Sequence, residues 1–312
     1  MRVAAAQLRC PLLDPATGVR KVLDSLRSAA ARDVHLVAFP EAFLSGYPVW
    51  PMITDGARFE AGVQKAAYAA YLDAAVELDG PELRQVAEAV SDLGVFTYLG
   101  ITERGAGPGR GTVYCTLVAL APGRGVVSAH RKLMPTYEER LVWGTGDGHG
   151  LRVHEVAGMR VGGLSCWENW MPLARHALYA GGSDLHVSTW PGGPALTRDI
   201  TRFIALEGRM YSLAVGAIID YADVPAGFPL RQRMLDSGET SPYTGGSAIA
   251  GPDGKWIVEP VDGEERLLVA DLDPAAVRGA RQNFDPTGHY ARPDVFQVTV
   301  NRTRLTAAHF QD

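Results

Sequence analysis

The 312-residue sequence lacks the residue patterns that identify several common classes of protein. It contains only three cysteines, at wide spacing, which excludes a disulfide framework and a metal knuckle built from CxxC pairs. Its eight histidines form neither an HExxH motif nor another paired-ligand spacing. Nothing in the sequence therefore requires a metal ion or another cofactor, and we expect none.

The sequence also lacks long runs of apolar residues and long runs of like charge. No segment approaches the roughly 18 uninterrupted apolar residues of a membrane span, so we expect no membrane contact. Lysine and arginine number 30 against 35 aspartates and glutamates, without a basic stripe, so we expect no nucleic acid partner. The opening segment MRVAAAQLRC does not have the pattern of a signal peptide, and we expect a cytoplasmic location.

The order of the apolar segments predicts an α/β fold. The strand-like segment VAAAQL precedes an amphipathic helix and a second strand-like segment, VHLVAF, and this order recurs loosely in the second half. Between the halves, TVYCTLVALA and GVVSAHRK are joined by APGRG, which suits a hairpin. Strands covered by helices, with hairpin strands beside them, predict stacked sheets with helices outside.

The sequence shows no clear linker between domains. We therefore predict one domain over residues 1–282, followed by a tail over residues 283–312. The tail is rich in proline and aromatic residues, and we expect it to lie extended across a neighbouring surface, at a subunit interface. Within the domain we predict helices over 57–75, 81–93, 172–180 and 195–210.

Cys166 is the strongest candidate for a nucleophile. It ends the apolar run VGGLSC, and a helix is predicted to begin a few residues later. Backbone N–H groups and the positive end of a helix dipole at such a turn would favour a thiolate. The alternative is that Cys166 is a small core residue, which is the commoner role of a cysteine ending an apolar run. Cys10 and Cys115 are interpreted as packing residues.

Glu41 and Lys132 also follow predicted strands. Glu41 comes after a buried strand and a proline, beside Phe39 and Phe43, where lost hydration would raise its proton affinity and suit a general base. The alternative is a helix or loop cap. If Lys132 is buried, its ammonium needs a carboxylate partner, which Glu139 or Glu41 could provide. The alternative for Lys132 is a solvated strand end.

Two further features of the sequence carry less information about function. The segment GTGDGHG, residues 144–150, is glycine-rich but does not lie between a strand and a helix as a phosphate cradle does, so we interpret it as a flexible loop. Serine would be the obvious competing nucleophile, but no GxSxG elbow occurs.

Three motifs around these candidate residues resemble the nitrilase branch of the carbon–nitrogen hydrolase superfamily. The likeness spans almost the whole chain, and CWEN followed by MPL is characteristic of nitrilases as against the amidases and acyltransferases of the superfamily. The matching segments are FPEAFLSGYP around Glu41, HRKLMPTYEERLVWGTGDG around Lys132 and GLSCWENWMPLAR around Cys166, with support from DLHVSTWPG and DPTGHYARPDVF.

The resemblance implies a catalytic triad of Glu41, Lys132 and Cys166, with Glu139 as a second glutamate beside the lysine. It implies a four-layer α-β-β-α sandwich that pairs through outer helices into homodimers and often into larger homo-oligomers or spirals. It also implies hydrolysis of a small-molecule nitrile to the carboxylic acid and ammonia through a cysteine thioimidate and thioester. Glu168 is expected to buttress the turn rather than to react.

The substrate pocket is expected to contain Tyr47, Trp167, Trp190 and Pro191, if their loops converge. Three alternatives to nitrile hydrolysis stay open. The first is an amidase that uses the same triad, and the second is a nitrile-hydrating enzyme that releases the amide. The third is a non-catalytic assembly module, against which the presence of all four polar positions argues.

Overall fold

Two six-stranded sheets lie face to face between outer layers of helices in the computed structural model, which describes residues 1–308. This arrangement confirms the predicted four-layer α-β-β-α sandwich. Within residues 1–308, no helix is long and apolar enough to cross a membrane.

The first sheet has three parallel strands at its centre and antiparallel strands on both sides. Strands β1, β2 and β3 are parallel, and the pairs β12–β1, β3–β4 and β4–β5 are antiparallel. From edge to edge the order is β12 (Arg266–Asp271), β1 (Arg2–Gln7), β2 (Leu36–Ala38), β3 (Phe96–Arg104), β4 (Val113–Ala121) and β5 (Gly125–Arg131).

The second sheet repeats this plan. Strands β7, β8 and β9 are parallel, and the remaining pairs are antiparallel. From edge to edge the order is β11 (Trp256–Asp262), β10 (Gly245–Ala250), β9 (Tyr211–Gly216), β8 (Leu185–Trp190), β7 (Met159–Ser165) and β6 (Val153–Val156).

The long helices cover the outer faces of the sheets because they present apolar stripes. In the first helix, Val19, Val22 and Leu26 recur at helical spacing and are buried, and Asp14 caps the N-terminus by accepting from the Thr17 N–H. Along the chain the helices are α1 (Pro15–Ala30), α2 (Trp50–Ile53), α3 (Gly62–Ala74), α4 (Pro81–Leu93), α5 (Pro172–Ala180), α6 (Pro194–Gly208), α7 (Arg231–Asp236) and α8 (Pro274–Ala280).

Strand β1 shows how the layers divide the apolar side chains. Val3 and Ala5 are buried between the two sheets, whereas Ala4 and Ala6 are buried under the outer helices. Because successive side chains of a strand point to opposite faces, a strand covered on both faces is continuously apolar. Each fully buried valine or leucine contributes about 1.5–3 kcal/mol to this core.

The structure corrects one helix boundary and adds two short helices. The helix predicted over 57–75 begins at Gly62, because residues before it form turns in which Glu60 has a φ of 60°. Helices α2 and α7, with four and six residues, were not predicted from the sequence. They are too short to show a full apolar repeat.

The glycine-rich segment 144–150 packs closely against β5, which corrects its interpretation as a flexible loop. A Cβ on Gly146 would lie 2.1 Å from the backbone oxygen of Arg131, and a Cβ on Gly150 would lie 2.2 Å from the Cα of His130. These glycines are therefore required for close backbone approach, and the segment braces the strand that precedes Lys132.

The described part of the tail, residues 283–308, has no helix or strand and lies against the rest of its own chain. The Arg304 guanidinium and the Leu305 N–H both donate to Asp147, at 3.0 and 2.9 Å. Residues 309–312 of the predicted tail lie outside the described residues. The division at residue 282 and the subunit interface at the tail stay predictions.

We predict that Gly148→Ala detaches the tail. A Cβ at this position would lie 2.2 Å from the backbone oxygen of Asn301, so the tail would move away and lose its contacts with Asp147. The expected cost is about 1–3 kcal/mol of unfolding free energy, measured by urea denaturation, with faster tryptic cleavage at Arg304. Gly111→Ala is the control, since a Cβ on Gly111 has nothing within 4 Å. Equal cleavage rates in the two variants would contradict the prediction.

Candidate active site

The three predicted catalytic side chains follow the ends of three strands. Glu41 lies shortly after β2, Lys132 directly after β5, and Cys166 directly after β7. Because the pairs β3–β4 and β4–β5 are antiparallel, β5 runs in the same direction as β2, and both end at one edge of the first sheet. Cys166 comes from the facing sheet. All three residues are buried.

Lys132 is fixed at both its backbone and its side chain. Its N–H donates to the Cys115 carbonyl, and its own carbonyl accepts from the Gly146 N–H, each at 2.8 Å. Its Nζ donates to Glu41 Oε1 at 2.9 Å and to Glu139 Oε2 at 2.7 Å. The sequence offered these two carboxylates as alternative partners, and the structure brings the ammonium to both.

Glu139 is held by three donors. It lies in the short 3-10 turn Tyr137–Leu141, where its Oε2 also accepts from the Thr136 N–H at 2.6 Å, completing a capping box. Its Oε1 accepts from the Tyr47 hydroxyl at 2.7 Å. The carboxylate therefore has one defined orientation beside Lys132.

Cys166 lies on a strained turn. Its φ is 52°, in the left-handed region that non-glycine residues seldom adopt, at a cost of about 1–3 kcal/mol. The Asn169 amide donates to its carbonyl at 2.8 Å. Cys166 Sγ and one carboxylate oxygen each of Glu41 and Glu139 lie within 4.8 Å of one another. The thiol, both carboxylates and the ammonium thus form one cluster.

Burial raises the pKa of the Cys166 thiol well above its usual value, and the charge of Glu41 raises it further. Lys132 and the Trp167 backbone N–H lower the pKa, but they do not outweigh burial. The thiol therefore rests protonated, whereas the sequence favoured a thiolate from the N–H groups of this turn. Attack by Cys166 consequently requires a base.

Glu41 has the proton affinity that such a base needs. Burial raises its pKa to about 7, while the ammonium of Lys132 lowers the pKa and the charge of Glu139 raises it. For Lys132, burial alone would lower the pKa, but the negative charges of the Cys166 thiolate, once it has formed, and of Glu41 and Glu139 outweigh burial and raise the pKa well above its usual value. Near neutral pH the site combines a weakly acidic carboxyl with a permanent ammonium.

Glu168 joins the turn of Cys166 to the strand end of Lys132. Its carboxylate accepts from the Ser165 N–H at 3.0 Å, from the Leu133 N–H and from His130 Nε2 at 3.1 Å. Burial alone would raise the pKa of Glu168, but the charge of His130 and these donors lower it. These contacts agree with the expected buttressing role of Glu168, and His130 is a partner that the sequence analysis did not identify.

The four expected pocket residues differ in their surroundings. Trp190 and Pro191 are buried, and Trp190 packs in the same apolar cluster as Cys166. Tyr47 is buried beside the Tyr243 ring, whose centroid lies 5.3 Å away, so Tyr243 is a neighbour that sequence reasoning missed. Trp167 is 48% exposed, and its backbone N–H lies within hydrogen-bonding reach of the Cys166 thiol. Binding of substrate by all four expected residues stays a prediction.

Glu41, Glu139 and Cys166 are also close enough together to offer three ligand atoms to a metal ion. The Lys132 Nζ already contacts both carboxylates, so its ammonium supplies positive charge at this position.

Comparisons with known proteins show the family of the chain. A family model described as carbon–nitrogen hydrolase matches residues 2–282. An aliphatic nitrilase from Sinorhizobium fredii is 36% identical and covers 98% of this chain and 97% of its own length. Nitrilase 2 from Arabidopsis thaliana is 35% identical, with coverage of 92% and 84%. The crystal structure of Saccharomyces cerevisiae Nit3, a member of the nitrilase superfamily, has a TM-score of 0.69 at 16% identity and covers 93% and 96%, a likeness of fold alone.

We predict that Glu168→Gln lowers the unfolding free energy by about 2–4 kcal/mol at pH 7, because the amide turns one acceptor oxygen into a donor facing buried N–H groups. The lowered pKa of Glu168 makes its contribution complete above the unfolded value of about 4.3 and lost as the pH falls through the folded value.

The difference between wild type and variant should therefore narrow at acid pH. Urea denaturation at several pH values measures it, with Glu155→Gln at an exposed strand position as the control. A difference that stays constant down to pH 3 would contradict the assignment of charge to Glu168.

Proposed function

The chain belongs to the carbon–nitrogen hydrolase family, in its nitrilase branch, and we propose that it hydrolyses an organic nitrile to the carboxylic acid and ammonia. The observation that carries the proposal is the buried cluster of thiol, carboxylate and ammonium, in a chain whose relatives over nearly their full length are nitrilases. The protein is a hydrolase of carbon–nitrogen bonds other than peptide bonds.

The reaction begins with proton transfer from the Cys166 thiol to Glu41. The thiolate then attacks the nitrile carbon, forming a carbon–sulfur bond while one π bond of the nitrile breaks. The nitrogen takes the proton from Glu41, which gives a thioimidate. A buried thiol with a raised pKa needs a neighbouring base to become a thiolate, and the carboxylate of Glu41, whose own pKa is raised to about 7, lies beside Cys166 for this role.

A water molecule, deprotonated by Glu41, adds to the thioimidate. The carbon–nitrogen bond of the tetrahedral species breaks, and ammonia leaves after the nitrogen has received a further proton. A second water molecule hydrolyses the remaining thioester, which releases the carboxylic acid and restores the Cys166 thiol. Two waters are consumed, and no oxidant or reductant is needed.

Lys132 and the Trp167 backbone N–H stabilise the charge that gathers on the reacting nitrogen. An ammonium has three N–H donors, and two of those of Lys132 are directed to Glu41 and Glu139. We propose that the third donates to the substrate. Glu139 keeps the ammonium in this orientation and keeps it charged.

The substrate pocket is proposed to include Tyr47, Trp167, Trp190 and Pro191, which would suit an apolar group on the nitrile. An amidase with the same triad, or release of the amide as product, is the alternative within this chemistry. The cytoplasmic location remains a prediction from the sequence.

A homodimer formed through the outer helices is part of the proposal. Several apolar side chains on and beside helices α5 and α6 are exposed. The rings of Trp167, Trp170 and Phe203 form an aromatic row in which each neighbouring pair of ring centroids is 6.3 Å apart. Leu173 on α5 and Leu206 on α6 extend this surface. Exposed apolar area of this kind is typical of a subunit interface, and larger homo-oligomers would add further contacts.

The test of function is a matched nitrile and amide with the same apolar group. We expect acid and ammonia from the nitrile, no product with Cys166→Ala, and a loss of about 10²–10³-fold in kcat with Lys132→Ala. The thermal unfolding midpoint of each variant controls for folding. Faster release of ammonia from the amide than from the nitrile would assign the protein as an amidase instead, and accumulation of amide would identify a hydrating enzyme.

The test of assembly is Trp170→Glu. A charge in the aromatic row should shift the oligomer toward smaller species, as measured by light scattering after size-exclusion chromatography. Phe59→Glu makes a similar change at a residue that is 90% exposed elsewhere, and it should leave the mass unchanged. The same mass for both variants and wild type would exclude this surface as the interface.

A further inference from the structure

The two carboxylate oxygens of Glu41 have different surroundings. Oε1 accepts from Lys132 Nζ at 2.9 Å and from the thiol of Cys115 at 3.4 Å. Oε2 is buried and has no hydrogen-bond partner within the described part of the chain. A buried oxygen without a donor is costly to keep charged, and it is therefore the better proton acceptor of the two.

Cys115 forms hydrogen bonds with both Glu41 and Lys132. Its thiol reaches Glu41, and its backbone carbonyl accepts the N–H of Lys132 at 2.8 Å. The residue lies on β4 opposite Thr102 of β3, so the sheet ladder fixes its position. Burial raises the pKa of the Cys115 thiol well above its usual value, and the charge of Glu41 raises it further. The thiol consequently stays protonated and acts as a donor.

We propose that Cys115 is a positioning residue for Glu41, and that its thiol, together with Lys132, occupies Oε1 so that Oε2 receives the proton of Cys166. The sequence analysis assigned Cys115 to packing. This inference rests on the proposed function, in which Glu41 is the base. Cys115 itself forms no bond to substrate and takes no part in proton transfer.

Several charged or titratable groups surround Glu41 and set the pH at which it ionises. Cys115 is the neutral donor whose hydrogen bond lowers the pKa of Glu41, so its removal raises that pKa. The groups facing Glu41 are the ammonium of Lys132, the carboxylate of Glu139, the thiols of Cys115 and Cys166, and the phenol of Tyr47.

The experiment is the pH profile of kcat/KM for Cys115→Ala and Cys115→Ser. In the alanine variant the acid limb should move to higher pH by about half a unit to one unit, the value of one lost hydrogen bond. In the serine variant the hydroxyl replaces the thiol as donor, and the limb should stay at or below its wild-type position. Both variants lose the volume of sulfur, so a packing role would displace both profiles equally.

Cys10→Ala is the matched control. Cys10 is also a buried free thiol, but its Sγ lies 3.8 Å from the Phe43 carbonyl instead of contacting the catalytic cluster. Its acid limb should coincide with that of wild type. If Cys115→Ala does not fold, Cys115→Val keeps the volume without a donor and should show the same displacement. The proposal would be overturned if the acid limbs of the Cys115→Ala and Cys115→Val profiles stayed at the wild-type position. Equal displacement of the acid limb in Cys115→Ala and Cys115→Ser would overturn it as well.

A second readout separates this inference from the proposed function. Alkylation of Cys166 by iodoacetamide, followed by peptide mapping across pH, reports proton removal without any nitrile. The expected displacement in Cys115→Ala is the same as in kcat/KM. If the alkylation profile of Cys115→Ala is displaced but the wild-type protein hydrolyses no nitrile, the role of Cys115 is supported and the substrate assignment is rejected. An unchanged alkylation profile in an active nitrilase would reject the role of Cys115 alone.

Discussion

The contact of one buried ammonium with two buried carboxylates is the constraint on which the rest of the site depends. Lys132 lies between Glu41 and Glu139 with no measurable solvent exposure of its side chain. Removing such charges from water costs several kcal/mol for each ion, and the mutual attraction offsets this only when the geometry is good. Burial of the cluster raises the pKa of Glu41 to about 7, although the ammonium of Lys132 lowers it, and this proton affinity suits the role of base that we propose for Glu41.

The fold meets this constraint by fixing each member through its backbone. Lys132 is held between β4 and the glycine-rich segment, and Cys166 is held on a left-handed turn. Glu168 then joins the two strand ends from the opposite sheets. The sandwich thus brings together chain segments that are distant in sequence, and their backbone contacts hold the cluster in one geometry.

The residues of the candidate site could be predicted from the sequence for a physical reason. A glutamate, a lysine and a cysteine each follow an apolar strand in the sequence. Strand ends in an α/β fold lie where side chains can converge, so residues at these positions are candidates for one site. That reasoning found Glu41, Lys132 and Cys166, but only the resemblance to nitrilases supplied their convergence and the four-layer fold. Local pattern could not reveal the left-handed φ of Cys166, or the contact of Cys115 with a residue 74 positions away.

The close packing of the segment 144–150 on β5 also bears on engineering of the protein. At Gly146 and Gly150 even a methyl group would meet backbone atoms of the strand that leads to Lys132. Random libraries that diversify this segment would therefore contain mostly inactive or unfolded members. Efforts to broaden the range of accepted substrates should leave these glycines untouched.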